Sequence, residues 1–168
     1  MTKKYFIPQF LLLCLFIASR GKANYEPQEY ISTNLNEERI ELSQEIFNKL
    51  KKEHYLKNFV NEDFNKEYIE ALIKRLDDNK LYFLKPEIEE FYKKASAYDG
   101  PSFDIDLSYS IINLYFKRLI LFSEFQISLI EKDSFNLQQD DYIDIYYEDN
   151  EWPKADKNLK KIWRDETK

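Results

Sequence analysis

Leu76-Asp77-Asp78-Asn79-Lys80-Leu81-Tyr82-Phe83-Leu84-Lys85-Pro86-Glu87-Ile88-Glu89-Glu90-Phe91 is the stretch on which the reading of this chain turns. An amphipathic pattern runs up to Leu76 and stops at the polar pair Asp78-Asn79. Leu81, Phe83 and Leu84, with Tyr82 between them, are too apolar for a solvated loop and fill a joint. Pro86 opens a second pattern, where a first helical turn leaves its backbone N–H without a partner in any case. Lys85 precedes it where a Ser or Thr cap would serve better, and Glu87 compensates in part. Ile88, Phe91 and Tyr92 face inward, while Glu87, Glu89 and Glu90 suit the positive end of the helix dipole. The stretch predicts a helix, a buried corner and a second helix.

The pattern before the corner is the clearest in the chain. Phe64, Tyr68, Ile69, Leu72, Ile73 and Leu76 make one apolar stripe, with Glu62, Lys66, Glu67, Glu70, Lys74 and Arg75 largely opposite. Asn61 or Asp63 is placed to cap it. Further back, Leu35, Ile40, Leu42, Ile46, Phe47 and Leu50 recur at mostly helical spacing behind Ser32-Thr33-Asn34, with Glu37 as the box partner of Asn34. His54-Tyr55 closes that element. His54 is the only histidine and is expected to satisfy a helix-terminal carbonyl.

Beyond the corner, Ala97-Tyr98-Asp99-Gly100-Pro101-Ser102 is the strongest turn signal. Residues 104–131 are apolar on nearly every face, as in a buried central helix. The alternation Ile105/Leu107/Tyr109/Ile111 also suits a strand, but the length without glycine or proline favours helix. Residues 140–151 form an acidic, aromatic connector. Trp152-Pro153 then leads into a basic amphipathic segment, 156–168, with Leu159, Ile162 and Trp163 inward. The fold class expected is all-α, an irregular helical bundle around a long buried central helix.

At 168 residues the chain is sized for one domain. Residues 1–23 have the layout of a secretory signal peptide: Lys3 and Lys4, an apolar run, then Gly21-Lys22-Ala23 before a cleavage point between Ala23 and Asn24. The run is shorter than the roughly 20 residues of a spanning helix. Cys14 follows Leu11-Leu12-Leu13 rather than a small residue, which argues against lipid attachment. Residues 24–32 read as a flexible leader and 33–168 as the folded domain. The signal holds four of the 25 basic groups and no acid, so the exported chain keeps 21 against 31 acidic residues, about −10. Such a balance disfavours nucleic acid, whose phosphates are neutralised by Lys and Arg. Cleavage also removes the only cysteine, so the domain relies on its core rather than on a disulfide.

Candidate chemistry is sparse. An activated serine needs a base and oxyanion donors, usually supplied by a sharp glycine-containing turn. Gly100 is the only glycine after the signal, where no G-x-S-x-G or S-x-x-K pattern occurs; the one S-x-x-K, Ser19 to Lys22, lies within the signal. Ser108, Ser110, Ser123 and Ser128 fall inside the central helix, where a hydroxyl bonds back to its own backbone. The acidic run Asp140, Asp141, Asp144, Glu148, Asp149 and Glu151 lacks the central glycine of a helix-flanked calcium loop. No metal, cofactor or catalytic residue is therefore expected. Tyr142, Tyr146 and Tyr147, set among carboxylates, are the candidate docking surface for a basic partner or peptide.

From about residue 37 onward the chain resembles the N-terminal helical domain of the tail-specific, or carboxy-terminal processing, proteases of the Gram-negative periplasm. The resemblance rests on His54-Tyr55, Phe64, Leu76-Asp77, Leu81, Phe83, Leu84, Ile88 and Phe91. Tyr115, Arg118 and Phe122 in the long helix extend it, and Trp152-Pro153-Lys154, Leu159 and Trp163 complete it. It implies a non-catalytic scaffold of a serine endopeptidase that helps enclose the substrate. The family's PDZ and Ser–Lys catalytic parts have no match here, and the family pattern runs on past Lys168, so the chain is expected to be C-terminally truncated. The implied partners are those PDZ and protease domains, a helical-repeat lipoprotein adaptor and substrates with apolar C-termini; the implied location is the periplasm. The alternative reading is a stand-alone periplasmic helical module that binds peptides or proteins.

Overall fold

The computed structural model describes residues 33–55, 60, 61, 63–132 and 151–167. The signal with Cys14, the Ala23–Asn24 cleavage point, the leader and the tyrosines at 142, 146 and 147 lie outside the described residues. Within them, five helices and no strand are found: α1 Glu37–Glu53, α2 Phe64–Leu76, α3 Lys85–Ala97, α4 Ile105–Lys132 and α5 Asp156–Thr167. The all-α expectation is borne out, and the alternating stretch at 105–111 is helical. Among the described residues, no helix is long and apolar enough to cross a membrane.

The helix ends show how local chemistry sets the boundaries. Helix α1 starts after Asn36, whose side-chain oxygen accepts from the Arg39 N–H at 3.0 Å. The expected cap at Asn34 is displaced by two residues, and Leu35 lies outside the helix. Asn34 instead offers its carbonyl to the Arg39 guanidinium at 2.8 Å. Asp63 is the cap residue of α2, with its own N–H held by the Asn61 side chain at 2.9 Å. The Asp104 carboxylate caps α4 by accepting from the Leu107 N–H at 3.0 Å. In the preceding turn the Tyr98 ring lies across Gly100, where any Cβ would run into it, and its hydroxyl reaches the Phe103 carbonyl at 3.3 Å.

The core sits where α2, α3 and the first turns of α4 meet. Ile69, Ile73, Phe83, Ile88, Phe91, Ala95, Leu107 and Ile111 form one buried cluster, and Trp152 packs against it. Helix α4 is central in that α2, α3 and α5 all pack on it. Its burial is graded: Leu107, Ser108 and Ile111 are buried, whereas Phe116, Leu121 and Ile130 are exposed. Apolar residues on every face promised burial throughout; after Ile111, however, no residue of α4 is buried and most are half-buried. A separate aromatic knot of Phe47, Phe64, Phe103 and Tyr68, with ring centroids 4.9–5.6 Å apart, fastens α1 to the rest.

Candidate functional site

The quoted corner is closed from outside its own sequence. Asp77 ends α2 and is buried. Its Oδ1 accepts from the Leu81 N–H at 2.6 Å, and its Oδ2 from the N–H groups of Tyr82 at 3.1 Å and Phe83 at 3.0 Å. The Trp152 indole N–H adds a fourth donor to Oδ2 at 3.3 Å. One carboxylate thus satisfies three backbone donors of a turn that has no helix or sheet to use them, at roughly its full acceptor capacity. Burial pushes the Asp77 carboxyl above its ordinary 3.8, against the pull of the hydrogen bonds from Phe83, Leu81, Tyr82 and Trp152.

The turn includes Lys80 at φ 57°, a left-handed conformation that a side chain disfavours. Its ammonium group lies over the Trp152 ring, 5.4 Å from the centroid. Trp163 on α5 donates its indole N–H to the Leu81 carbonyl at 2.6 Å. Both tryptophans therefore bury rings and spend their polar handles on the same corner.

The start of α3 is finished in the same way. The Leu84 N–H donates to the Glu87 side chain at 2.8 Å, half of a capping box without a capping hydroxyl. The Lys85 N–H donates to the Pro153 carbonyl at 2.9 Å. This accounts for the absent Ser or Thr cap: the segment at 151–153 supplies the acceptor. Arg118 on α4 reaches Glu87 through Nη2 at 2.9 Å and Asp156 through Nη1 at 3.2 Å, tying the N-termini of α3 and α5 together. The exposed Lys85–Glu151 pair at 3.0 Å adds a rim contact, and its hydrogen bond holds Glu151 below its ordinary carboxylate range.

Leu76, Asp77, Leu81, Phe83, Leu84 and Phe91 thus meet Trp152, Pro153 and Trp163 at one node. Tyr115 joins it edge-on to Tyr82, with ring centroids 5.0 Å apart, and Phe122 lies tilted against Trp163 at 5.4 Å. His54 and Tyr55 do not join it. They lie at the end of α1, where the His54 N–H takes the Leu50 carbonyl at 2.9 Å and the two rings stack at 4.7 Å. The helical serines behave as their position dictates: Ser108, Ser110 and Ser123 donate to the carbonyls four residues back at 2.6, 2.9 and 3.0 Å. The described residues hold no group of three or more His, Cys, Asp or Glu able to bind a metal.

Beside the node, a groove of about 500 Å³ runs between α4 and α5, with Leu121, Phe125, Leu159 and Trp163 along its floor and Lys117 and Lys160 at its edges. It is the larger opening next to the node; a second, of about 410 Å³, lies over Trp152, Lys80 and Tyr92. Sequence alone did not show the Arg118 clamp. The signal available was an arginine in an apolar helix, which requires a buried or half-buried acid to meet it.

Residues 46–168 match the model of the tail specific protease N-terminal domain. The chain belongs to this family. Over 169 aligned residues it is 24% identical to the tail-specific protease of Haemophilus influenzae, covering 97% of this chain and 24% of that protein. This tail-specific protease domain therefore spans about a quarter of the curated relative it matches. No solved structure matches the chain. The matched region takes in all of α2 to α5, hence the whole corner node, and only the C-terminal part of α1.

Proposed function

We propose that the chain is the non-catalytic scaffold and docking domain of a periplasmic tail-specific serine endopeptidase, helping to enclose substrate and offering a surface to an adaptor. The observation that carries this reading is the match of residues 46–168 to the family's N-terminal domain, together with coverage of only a quarter of the relative. The geometry supports it. The polar atoms of the node are spent on each other and fix the angle between α2 and α3, which suits a rigid frame rather than a reaction centre. The hydroxyls of Ser108, Ser110 and Ser123 are bonded back to their own turns, whereas an activated nucleophile would be bonded to a base.

The residues that carry the resemblance act in this reading as frame. Asp77, Trp152 and Trp163 set the corner, while His54 and Tyr55 finish α1. The partners are the PDZ and Ser–Lys domains of the enzyme, with substrates selected by apolar C-termini. The test incubates the purified chain with a substrate bearing such a tail, then mixes it with a tail-specific protease expressed without its own N-terminal domain. Expected are no cleavage by the chain alone and co-purification of the two parts. Cleavage that persists through repeated purification would overturn the reading, as would failure of the two parts to associate.

A further inference from the structure

Helix α4 carries an apolar stripe on each of two opposite sides. Leu107, Ile111, Tyr115, Phe122 and Phe125 recur three, four or seven residues apart and meet the core, the corner node or Trp163 of α5. Phe116, Ile120, Ser123, Ile127 and Ile130 recur four and three residues apart on the other side. Ile120 follows Ile111 by nine residues, about two and a half turns, and so points away from it. Phe116 is 41% and Ile130 65% exposed, while Ile120 and Ile127 are half-buried. At its N-terminal end this second stripe meets the segment that carries α1. The Arg39 guanidinium lies 5.8 Å from the centroid of the Tyr109 ring. Asn113 clips Thr33 in both directions: the Thr33 N–H donates to Oδ1 at 2.9 Å, and Nδ2 donates to the Thr33 carbonyl at 3.0 Å. From Phe116 to Ile130 the stripe then runs for about 21 Å at about 1.5 Å per residue.

The four-three alternation is that of a coiled-coil seam, with Ile120 and Ile127 at one core position and Phe116, Ser123 and Ile130 at the other. Lys117 and Glu124 flank it on one edge, seven residues apart, and neither is in an ion pair among the described residues. Laid antiparallel against its own copy, this seam is self-complementary. With Ile120 opposite Ser123 of the second copy, Phe116 falls opposite Ile127 and Lys117 falls beside Glu124, each contact occurring twice about the twofold axis. Sliding one copy by a heptad in either direction sets Glu124 against Glu124 or Lys117 against Lys117, so charge selects the first register. In a parallel pair the two charges would face Ile112 and Leu119 instead and stay unpaired.

We propose that two copies of the chain associate through this face, antiparallel along α4, with Lys117–Glu124 pairs flanking the seam. The contact is one helix face wide. It belongs to the small class of interfaces, under about 1,200 Å² in total, so a micromolar dissociation constant is expected. The dimer does not depend on the scaffold reading, and its test involves no protease.

The protein, expressed from its full sequence, is sedimented over about 1 µM to 1 mM, which brackets a weak contact. Salt at about 0.15 M screens the repulsion between two acidic molecules beyond about 8 Å. Expected is a monomer–dimer equilibrium that Ile120→Asp abolishes, with helical circular dichroism unchanged. Lys117→Glu and Glu124→Lys should each weaken the dimer about tenfold, because each change acts twice. An equimolar mixture of these two variants sets opposite charges together again and should form a heterodimer as tight as the unaltered dimer. The charge variants replace no buried residue, so they keep the test decisive should Ile120→Asp disturb the helix. A monomer at every concentration overturns the proposal. Association indifferent to Ile120→Asp runs through another surface and overturns it too, as does a mixture that fails to recover.

Discussion

The corner between α2 and α3 and the helix α1 both carry apolar residues among charged ones, yet they are held in opposite ways. At the corner, Asp77 and Phe83 are buried, four donors converge on one carboxylate, and two tryptophans from a distant segment complete it. On α1, Phe47 is the one buried residue, Leu42 and Ile46 stand 53% and 47% exposed, and the enclosed Ser43 Oγ has no hydrogen-bond partner among the described residues. The difference shows that an amphipathic pattern promises burial only to the extent that another element comes to meet it. α1 is amphipathic but touches the described domain chiefly through its aromatic knot and the Thr33–Asn113 clip.

The sharpest way to break this contrast is Phe83→Ala. A fully buried ring at the centre of the node should cost about 3–5 kcal/mol in urea-induced unfolding. A loss below about 1 kcal/mol would mean that the corner is no more fixed than α1. Asp77→Asn comes next, at about 2–3 kcal/mol, because an amide NH₂ would face at least one of the N–H donors that the carboxylate now accepts. It also sharpens the pH behaviour. The folded pKa of Asp77 is raised, so the native state binds the proton more tightly than the unfolded chain. The contribution of Asp77 to stability is therefore greatest below 3.8 and falls as pH rises through the raised folded value. Asp77→Asn should abolish that downward slope in stability measured between pH 3 and neutrality; an unchanged slope would assign it to other groups.

Arg118→Lys should cost about 1–2 kcal/mol. An ammonium group lacks the planar fork that reaches Glu87 and Asp156 at once. Asp156 is largely exposed, so most of the loss should come from Glu87, and Asp156→Ala alone should cost less than Arg118→Lys. The smallest effect is expected on α1: Leu42→Lys should stay within about 0.5 kcal/mol in thermal melts. A larger loss there would mean that a segment outside the described residues packs on that face.

The corner was legible because its signals are local: a polar stop, a short apolar run and Pro86 occupy ten or so consecutive residues, and each restricts the backbone by itself. What closes the corner was not legible, since nothing in Asp77 announces that its fourth donor is Trp152. The shifted cap of α1 shows the same limit at short range. Asn34 and Asn36 are equally good acceptors, and the choice fell to Asn36 because Arg39 takes the Asn34 carbonyl. The long helix was legible as a helix from its length and lack of breakers, whereas its graded burial depends on where α5 ends and on what lies along its other side. His54-Tyr55 and Trp152-Pro153 look alike as ring-bearing pairs at element ends, but only the second reaches the node. The tyrosines at 142, 146 and 147 lie outside the described residues and keep the standing of a sequence expectation.

The bonds from Trp152 to Asp77 and from Trp163 to Leu81 join positions 75 and 82 residues apart. A ribosome delivers the corner long before the groups that lock it, so during synthesis the turn at 77–84 waits without the indole donors to the Asp77 carboxylate and the Leu81 carbonyl. Closing so large a loop makes assembly slow relative to a bundle of neighbouring hairpins. The interval between the emergence of Leu84 and that of Trp163 is the window in which a chaperone, or a wrong partner, finds this polypeptide open.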